Sequence, residues 1–298
     1  MSVEEKKKVI RKYREKQSPI SWLLAAIGLS SKTWYATDQE VDDSDDLLWK
    51  ERIEHILIDF PYYGFRRVRA QLCRLGHPIN KKRVQRIMQE HTLVQKRRTW
   101  SVKTTNSRHV LPTYPNLVAD LVIGYPEQVW VADITYIRLP DKHFCYLATV
   151  MDVFTRRVRG WALMETMEES LVLGALNAAL TRYGAPEYFH SDRGGQYCGK
   201  AHTGLLTTHN VKISMSATGV SVDNPFAESF FRTLKVEEVY LSDYADIEEA
   251  CRCIAEFIDV VYTQKRLHSS LRYLTPEEFE RAYEAEHKKK GRTPLLGN

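Results

Sequence analysis

The chain has 298 residues, 43% hydrophobic and 27% charged, with a formal charge of +5, which describes an ordinary folded protein of two or three units. Its five cysteines (Cys73, Cys145, Cys198, Cys251, Cys253) are odd in number and show no CxxC pair, so reduced thiols are expected rather than a disulfide framework. The first residues, MSVEEKKKVIRKYREK, lack the apolar stretch of a signal peptide, and no run approaches the roughly 18 apolar residues of a membrane span; the expectation is a cytosolic protein, not bound to a membrane, with access to the chromosome.

Charge is unevenly spread. Residues 1–50 carry nine Lys/Arg against nine Asp/Glu, residues 51–115 fourteen against four, and residues 116–298 twenty against twenty-five. A +10 segment beside an acidic one suggests a nucleic-acid-binding module attached to something else, although a solvated basic surface has the same composition.

In chain order, Ile20–Ile27 has helical apolar spacing, Gly28 breaks it, and Ser30 or Ser31 can cap a second short helix through Tyr35. This is a helix-turn-helix pattern or a plain helical hairpin. The acidic stretch Asp38–Asp46 reads as a linker. Gly64–Leu75 then places Val68, Leu72 and Leu75 on one face of a helix that also carries Arg66 and Arg67. Gly76, His77 and Pro78 end it, Asn80 is a good N-cap, and Lys81–His91 keeps Val84, Ile87 and Met88 inward. That helix offers Lys81, Lys82, Arg83, Gln85 and Arg86 outward, where a recognition helix touches phosphates and base edges. Ser101–Pro115 reads as a second linker.

From residue 128 the pattern changes to strands. Gln128–Leu139, Phe144–Thr155 and Arg157–Glu165 are β-branched and aromatic, and the middle of the first is apolar on both faces, as in a strand covered on both sides. A helix (Ser170–Tyr183), a strand (Glu187–Asp192), a glycine loop, a helix (about Ala201–His209), a strand (Val211–Met215) and a helix after Asn224 follow. A three-stranded meander followed by alternating helix and strand predicts an α/β fold of ribonuclease H type, with a mixed five-stranded sheet. The expected units are a helix-turn-helix-like segment 1–46, a basic helical domain 47–110, a catalytic core 116–240 and a helical extension 241–298.

Three carboxylates stand out. Asp133 lies mid-strand, where an Asp costs stability unless it is paired or metal-bound; taken alone, a turn cap or an Arg partner explains it better. Asp192 closes the strand YFHSD before Gly194 and Gly195, at the strand end where ligands bind in α/β sheets, but a turn-forming Asp before glycine is common. Glu228 sits in the first helical turn after Asp223-Asn224-Pro225, where it also favours the helix dipole. Arg232 and Lys235 follow on its face. Hard Mg²⁺ ions take oxygen ligands, and two-metal phosphoryl transfer uses a few carboxylates to hold ions about 4 Å apart. Two strand-borne aspartates and a helix-borne glutamate suit that task together better than singly.

The blocks WVADITYI, FHSDRGGQY and DNPFAESFFRTLKVE, with 35 residues between Asp192 and Glu228 and a basic Lys235 seven after the Glu, resemble the signatures of DDE transposases related to retroviral integrases. Within that family the chain is similar to the second-frame protein of bacterial insertion sequences that use two overlapping frames. YGFRRV (Tyr63–Val68) resembles its second helix-turn-helix, and YTQKRLHSSLRYLTPEEF, from Tyr262, resembles its closing motif. The resemblance implies a DNA transposase that binds terminal inverted repeats of double-stranded DNA, cuts at the element's ends and transfers the 3′-hydroxyl. It implies Asp133 bridging two Mg²⁺ ions (Mn²⁺ as a substitute), Asp192 and Glu228 holding one each, and Lys235 near the reacting phosphate. Arg232, Arg66, Arg67, Lys81, Lys82, Arg83 and Arg86 are the further DNA-contact candidates. A homo-oligomer on DNA is expected, with an upstream-frame protein or fusion as a possible partner.

Three positions depart from the family's pattern: Ala132 where Thr is frequent, Thr263 in place of Asn, and Arg272 in place of Gly. Thr275-Pro276-Glu277-Glu278 reads better as a capping box than as a catalytic motif, and His268 as a DNA contact or a packing residue. A ribonuclease H-type nuclease has little need for two basic helical units, and a DNA-binding repressor leaves the carboxylate blocks unexplained. No strong Arg/His/Arg/Tyr signature of a tyrosine recombinase is visible.

Overall fold

The computed structural model describes residues 1–14, 19–35, 43–93, 112–140, 143–216 and 224–289, and the chain divides into two units, Met1–Leu48 and Trp49–Asn298. In the first unit, helices α1 (Val3–Arg14), α2 (Ile20–Ile27) and α3 (Ser31–Tyr35) enclose a small core of Ile10, Leu24 and Leu29. Gly28 ends α2 in the left-handed region (φ 63°), a conformation open to glycine without steric cost, and the Ser30 hydroxyl accepts the Thr33 N–H at 3.1 Å to start α3.

Helix α4 (Asp43–Asp59) begins inside the stretch expected to be a linker: residues 36–42 lie outside the described residues, but Asp45 and Asp46 lie in its first turn. Acidic side chains at a helix N-terminus complement its dipole, so the charge that suggested a linker favours the helix. Helices α5 (Phe65–Arg74) and α6 (Lys81–Glu90) follow. Asn80 caps α6 by accepting the Lys82 N–H at 2.9 Å, and Val68, Leu72, Val84, Ile87 and Met88 join Ile53 and Tyr63 in one core. Leu75 departs from expectation. It is 57% exposed, because α5 stops at Arg74 and Gly76, at φ 84°, turns the chain away. The expected second linker lies outside the described residues up to 111.

Strands β1 (Val129–Arg138), β2 (Phe144–Asp152), β3 (Val158–Met164), β4 (Tyr188–Ser191) and β5 (Lys212–Met215) form one mixed sheet in the order β3-β2-β1-β4-β5. β1–β2 and β2–β3 are antiparallel, whereas β1–β4 and β4–β5 are parallel. Alternation on β1 divides two cores. Trp130 and Ala132 meet helix α7 (Glu169–Tyr183) and helix α9 (Lys200–Thr208) on one face. Val129, Val131 and Ile137 meet α10 (Pro225–Leu234), α11 (Ile247–Glu256) and the π-helical segment Phe257–Lys265 on the other. The glycine loop after Asp192 contains a further short helix, α8 (Gly195–Cys198).

The last segment ties the helical domain to the sheet. The Leu267 N–H donates to the Tyr63 hydroxyl at 2.7 Å and its carbonyl accepts from Arg67 Nε at 3.0 Å. α12 (Pro276–Lys289) is started by a reciprocal capping box: Thr275 N–H donates to Glu278 at 2.9 Å and Glu278 N–H to Thr275 Oγ1 at 3.2 Å. From α12, Glu278 pairs with Arg74 and Glu280 with Arg157 and Arg159. All five cysteines are free. Among the described residues no helix is long and apolar enough to cross a membrane.

Candidate active site

The parallel register of β1 and β4 pairs Val131 with His190. Two residues further on, Asp133 and Asp192 fall side by side at the carboxyl end of β4, on strands about 4.8 Å apart. Asp133 projects from the β1 face that α10 covers, and its carboxylate accepts the Ile134 N–H at 2.8 Å. Asp192 leaves the sheet in a tight turn in which Oδ1 accepts the Gly194 N–H at 2.9 Å. A Cβ at Gly194 would stand 2.9 Å from that oxygen and 3.2 Å from Gln196 Oε1, so a larger residue there would press on both side-chain ends.

Glu228 is brought to the same place by one side chain. Asn224, the N-cap of α10, accepts the Ala227 N–H at 3.4 Å and donates from Nδ2 to the Ala132 carbonyl at 3.0 Å. The start of α10 is thereby pinned to β1 one residue before Asp133. Pro225 occupies the first helical turn, where its missing N–H costs nothing. Asp223 lies outside the described residues.

The groups act on one another electrostatically. Burial first, and then Asp192 and Glu228, push Asp133 up from 3.8 to about 7, against the Ile134 N–H and Lys235, which lower it. Lys235 lies over the Tyr136 ring at 4.6 Å, and burial lowers its own value against the opposing pull of Asp133. Among the described residues, however, no group of three or more His, Cys, Asp or Glu side chains is drawn close enough to form a metal-holding cluster. The sequence had not singled out Tyr197, whose buried hydroxyl has no hydrogen-bond partner among the described residues. Its value is raised by burial and then by Asp133 and Asp192. Its place in the block FHSDRGGQY was the available signal.

The basic candidates separate into two groups. Arg66, Lys81, Lys82 and Arg232 are exposed. Arg67 bonds the Leu267 carbonyl, Arg83 lies 5.8 Å from the Trp49 ring centre, and Arg86 pairs with Glu90 at 2.9 Å. His268 is buried and stacks edge-on against Tyr262 at 4.7 Å, so it packs within the fold. Arg272 and Tyr273 both adopt positive φ (56° and 61°), which explains why glycine suits the first of them and why Arg there is strained. Thr263 is buried and donates to the Ile258 carbonyl at 2.7 Å.

Residues 125–221 and 209–276 match models of the integrase core domain, and residues 43–99 match an HTH-like domain. With the mixed five-stranded sheet, these define the class: a DDE transposase/integrase enzyme with a helix-turn-helix-like region ahead of its core. The chain is 36% identical over 221 residues to transposase InsF of insertion sequence IS3A from Escherichia coli (strain K12), covering 73% of this chain and 76% of the relative. It is also 36% identical over 224 residues to the 31 kDa protein of insertion element IS600 from Shigella sonnei, covering 74% and 82%. The chain belongs to the IS3 family of insertion-sequence transposases. A more distant likeness is to the HTLV-2 integrase catalytic core domain solved with magnesium, at 14% identity and TM-score 0.42 over 52% of this chain and 97% of that one.

Proposed function

We propose that the chain cuts DNA at the ends of an insertion sequence and joins the released 3′-hydroxyl to DNA, with Asp133, Asp192 and Glu228 as its catalytic carboxylates. The observation that carries this reading is the β1–β4 register that sets Asp133 beside Asp192, with Asn224 holding the start of α10 against Ala132; Asp192 and Glu228 add to burial in raising the half-buried Asp133 carboxyl. Such a trio offers only hard oxygen donors and carries repulsion that a divalent cation relieves, so its chemistry fits Mg²⁺, with Mn²⁺ as a substitute. When bound, the metal supplies charge neutralisation at phosphorus and a hydroxide-like nucleophile near neutral pH.

The protein's part is to position. The sheet fixes Asp133 and Asp192, Asn224 fixes the first turn of α10 and with it Glu228, and Lys235 places a cation beside Asp133 toward the DNA. In the first step water adds to phosphorus and the bond to the 3′-oxygen breaks, which leaves a 3′-hydroxyl. In the second that hydroxyl adds to another phosphodiester and displaces its 3′-oxygen. Lys81, Lys82, Arg83, Arg86, Arg66, Arg67 and Arg232 contact the DNA backbone and the terminal repeats. The division of labour follows segments 1–46, 47–110, 116–240 and 241–298. The enzyme works in the cytoplasm as a multimer holding two element ends, alone or fused to an upstream-frame product.

The test is a strand-transfer assay on duplex DNA ending in the element's inverted repeats. Joined product should appear with Mg²⁺, vanish in EDTA and vanish in Asp192→Asn. Joining that persists in Asp192→Asn overturns the site, and cleavage without joining makes the chain a nuclease.

A further inference from the structure

Away from the carboxylates, a cavity of 110 Å³ opens between α5, the turn joining β2 to β3, α10 and the C-terminal tail. Three guanidiniums line it: Arg67 from α5, Arg156 from the turn and Arg266 from the tail. Its floor is buried. Arg266 is 3% exposed and held by Glu237 through two contacts of 2.7 Å. His268 is 8% exposed; one ring nitrogen is bonded to the Tyr262 backbone, and Nε2 has no partner among the described residues. Burial and then Arg266, Arg67 and Arg156 hold its imidazole well below the ordinary value, and the same three guanidiniums line the cavity around it. Arg156 lies 3.9 Å over the Phe226 ring, its Nε has no hydrogen-bond partner, and it forms no ion pair among the described residues. At the mouth stand the exposed hydroxyls of Ser229 and Ser270.

Converging guanidiniums and hydroxyls over a buried, under-satisfied floor are the donor set of a tetrahedral oxyanion. The cavity is several times the roughly 10–15 Å³ that admits one water, which leaves room for a phosphate group. We propose that this cavity holds a backbone phosphodiester of DNA, clamping the strand where the helical domain meets the catalytic core. Two placements favour a DNA phosphate over a free ion. Ser229 at the mouth directly follows Glu228 on α10, so a strand reaching the carboxylates passes the opening. Arg67 belongs to the basic domain, so a phosphate here is gripped by that domain and the core together.

This assignment rests on the DNA-joining reading above. It is tested with the full chain in EDTA, by fluorescence anisotropy on a duplex of arbitrary sequence over a salt series. Losing one phosphate contact lowers the slope of log K against log salt by about 0.9. Arg156→Gln should show that loss, Arg156→Lys should retain the wild-type slope, and Ser229→Asp, a surface change that adds repulsion at the mouth, should weaken binding without lowering the melting temperature. Unchanged slope in Arg156→Gln together with unchanged binding in Ser229→Asp overturns the proposal. Stabilisation by millimolar inorganic phosphate that Arg156→Gln abolishes, with DNA slopes unchanged, makes this a free-anion site and also overturns it. If wild type shows no salt-dependent DNA binding, the DNA-joining reading itself fails.

Discussion

Replacing Asp133 with Asn should make the metal-free protein more stable while destroying its activity. Ionising Asp133 is opposed by burial and by Asp192 and Glu228, which move it from 3.8 to about 7. At about 1.36 kcal/mol per tenfold change, that is roughly 4 kcal/mol against the charged form. The side chain keeps part of its surface in solvent, so about half, ~2 kcal/mol, is the working expectation. Between these two values the native state holds a proton that the unfolded chain has released, so this group's contribution to stability falls as pH rises through the window. Asn carries no such charge and still offers an oxygen to the Ile134 N–H. Urea unfolding in EDTA should therefore find Asp133→Asn close to wild type near pH 4.5 and about 2 kcal/mol more stable at pH 8. Added Mg²⁺ should then stabilise wild type and leave the variant behind. A variant less stable than wild type at pH 8, or one whose offset is the same at both pH values, would refute the reasoning.

Two further perturbations probe the scaffold. Glu237→Ala strands the buried Arg266 guanidinium and should cost about 3–5 kcal/mol, seen as a lower melting temperature; a loss below about 1 kcal/mol contradicts a tight pair. Gly160→Ala puts a Cβ against the Ala175 carbonyl and 2.6 Å from Ala179 N on α7. Overpacking of that kind should cost about 1–3 kcal/mol, and a variant that melts like wild type means that α7 has room to shift.

Much of the sheet was legible because β1 and β2 carry apolar residues on both faces, a pattern that only a doubly covered strand needs. The α5 and α6 cores were legible for a similar reason: Val68, Leu72, Val84, Ile87 and Met88 repeat at helical spacing. What periodicity could not report was partnership. Arg67 and Arg86 look alike in sequence, yet one bonds a backbone carbonyl 200 residues away and the other a glutamate one turn along. Asn224 was legible as a cap, but its second bond, to the Ala132 carbonyl, depends on where α10 lands on the sheet. The end of the Asp38–Asp46 stretch misled, because acidity suits a linker and a helix start equally. The grouping of Asp133, Asp192 and Glu228 was an expectation from spacing, while the rise in Asp133 required the burial that only the fold supplies.

The bond from Leu267 to Tyr63 and the pair of Arg74 with Glu278 join positions just over 200 residues apart. During synthesis neither can close until both of its partners have left the ribosome. The α5–α6 domain can form early, but its seat on the core waits for the final segment, and contacts of such range slow folding. The cationic cavity, built from both ends of that span, is completed last. Under the clamp proposed above, the grip on a DNA strand therefore depends on contacts that close late in folding.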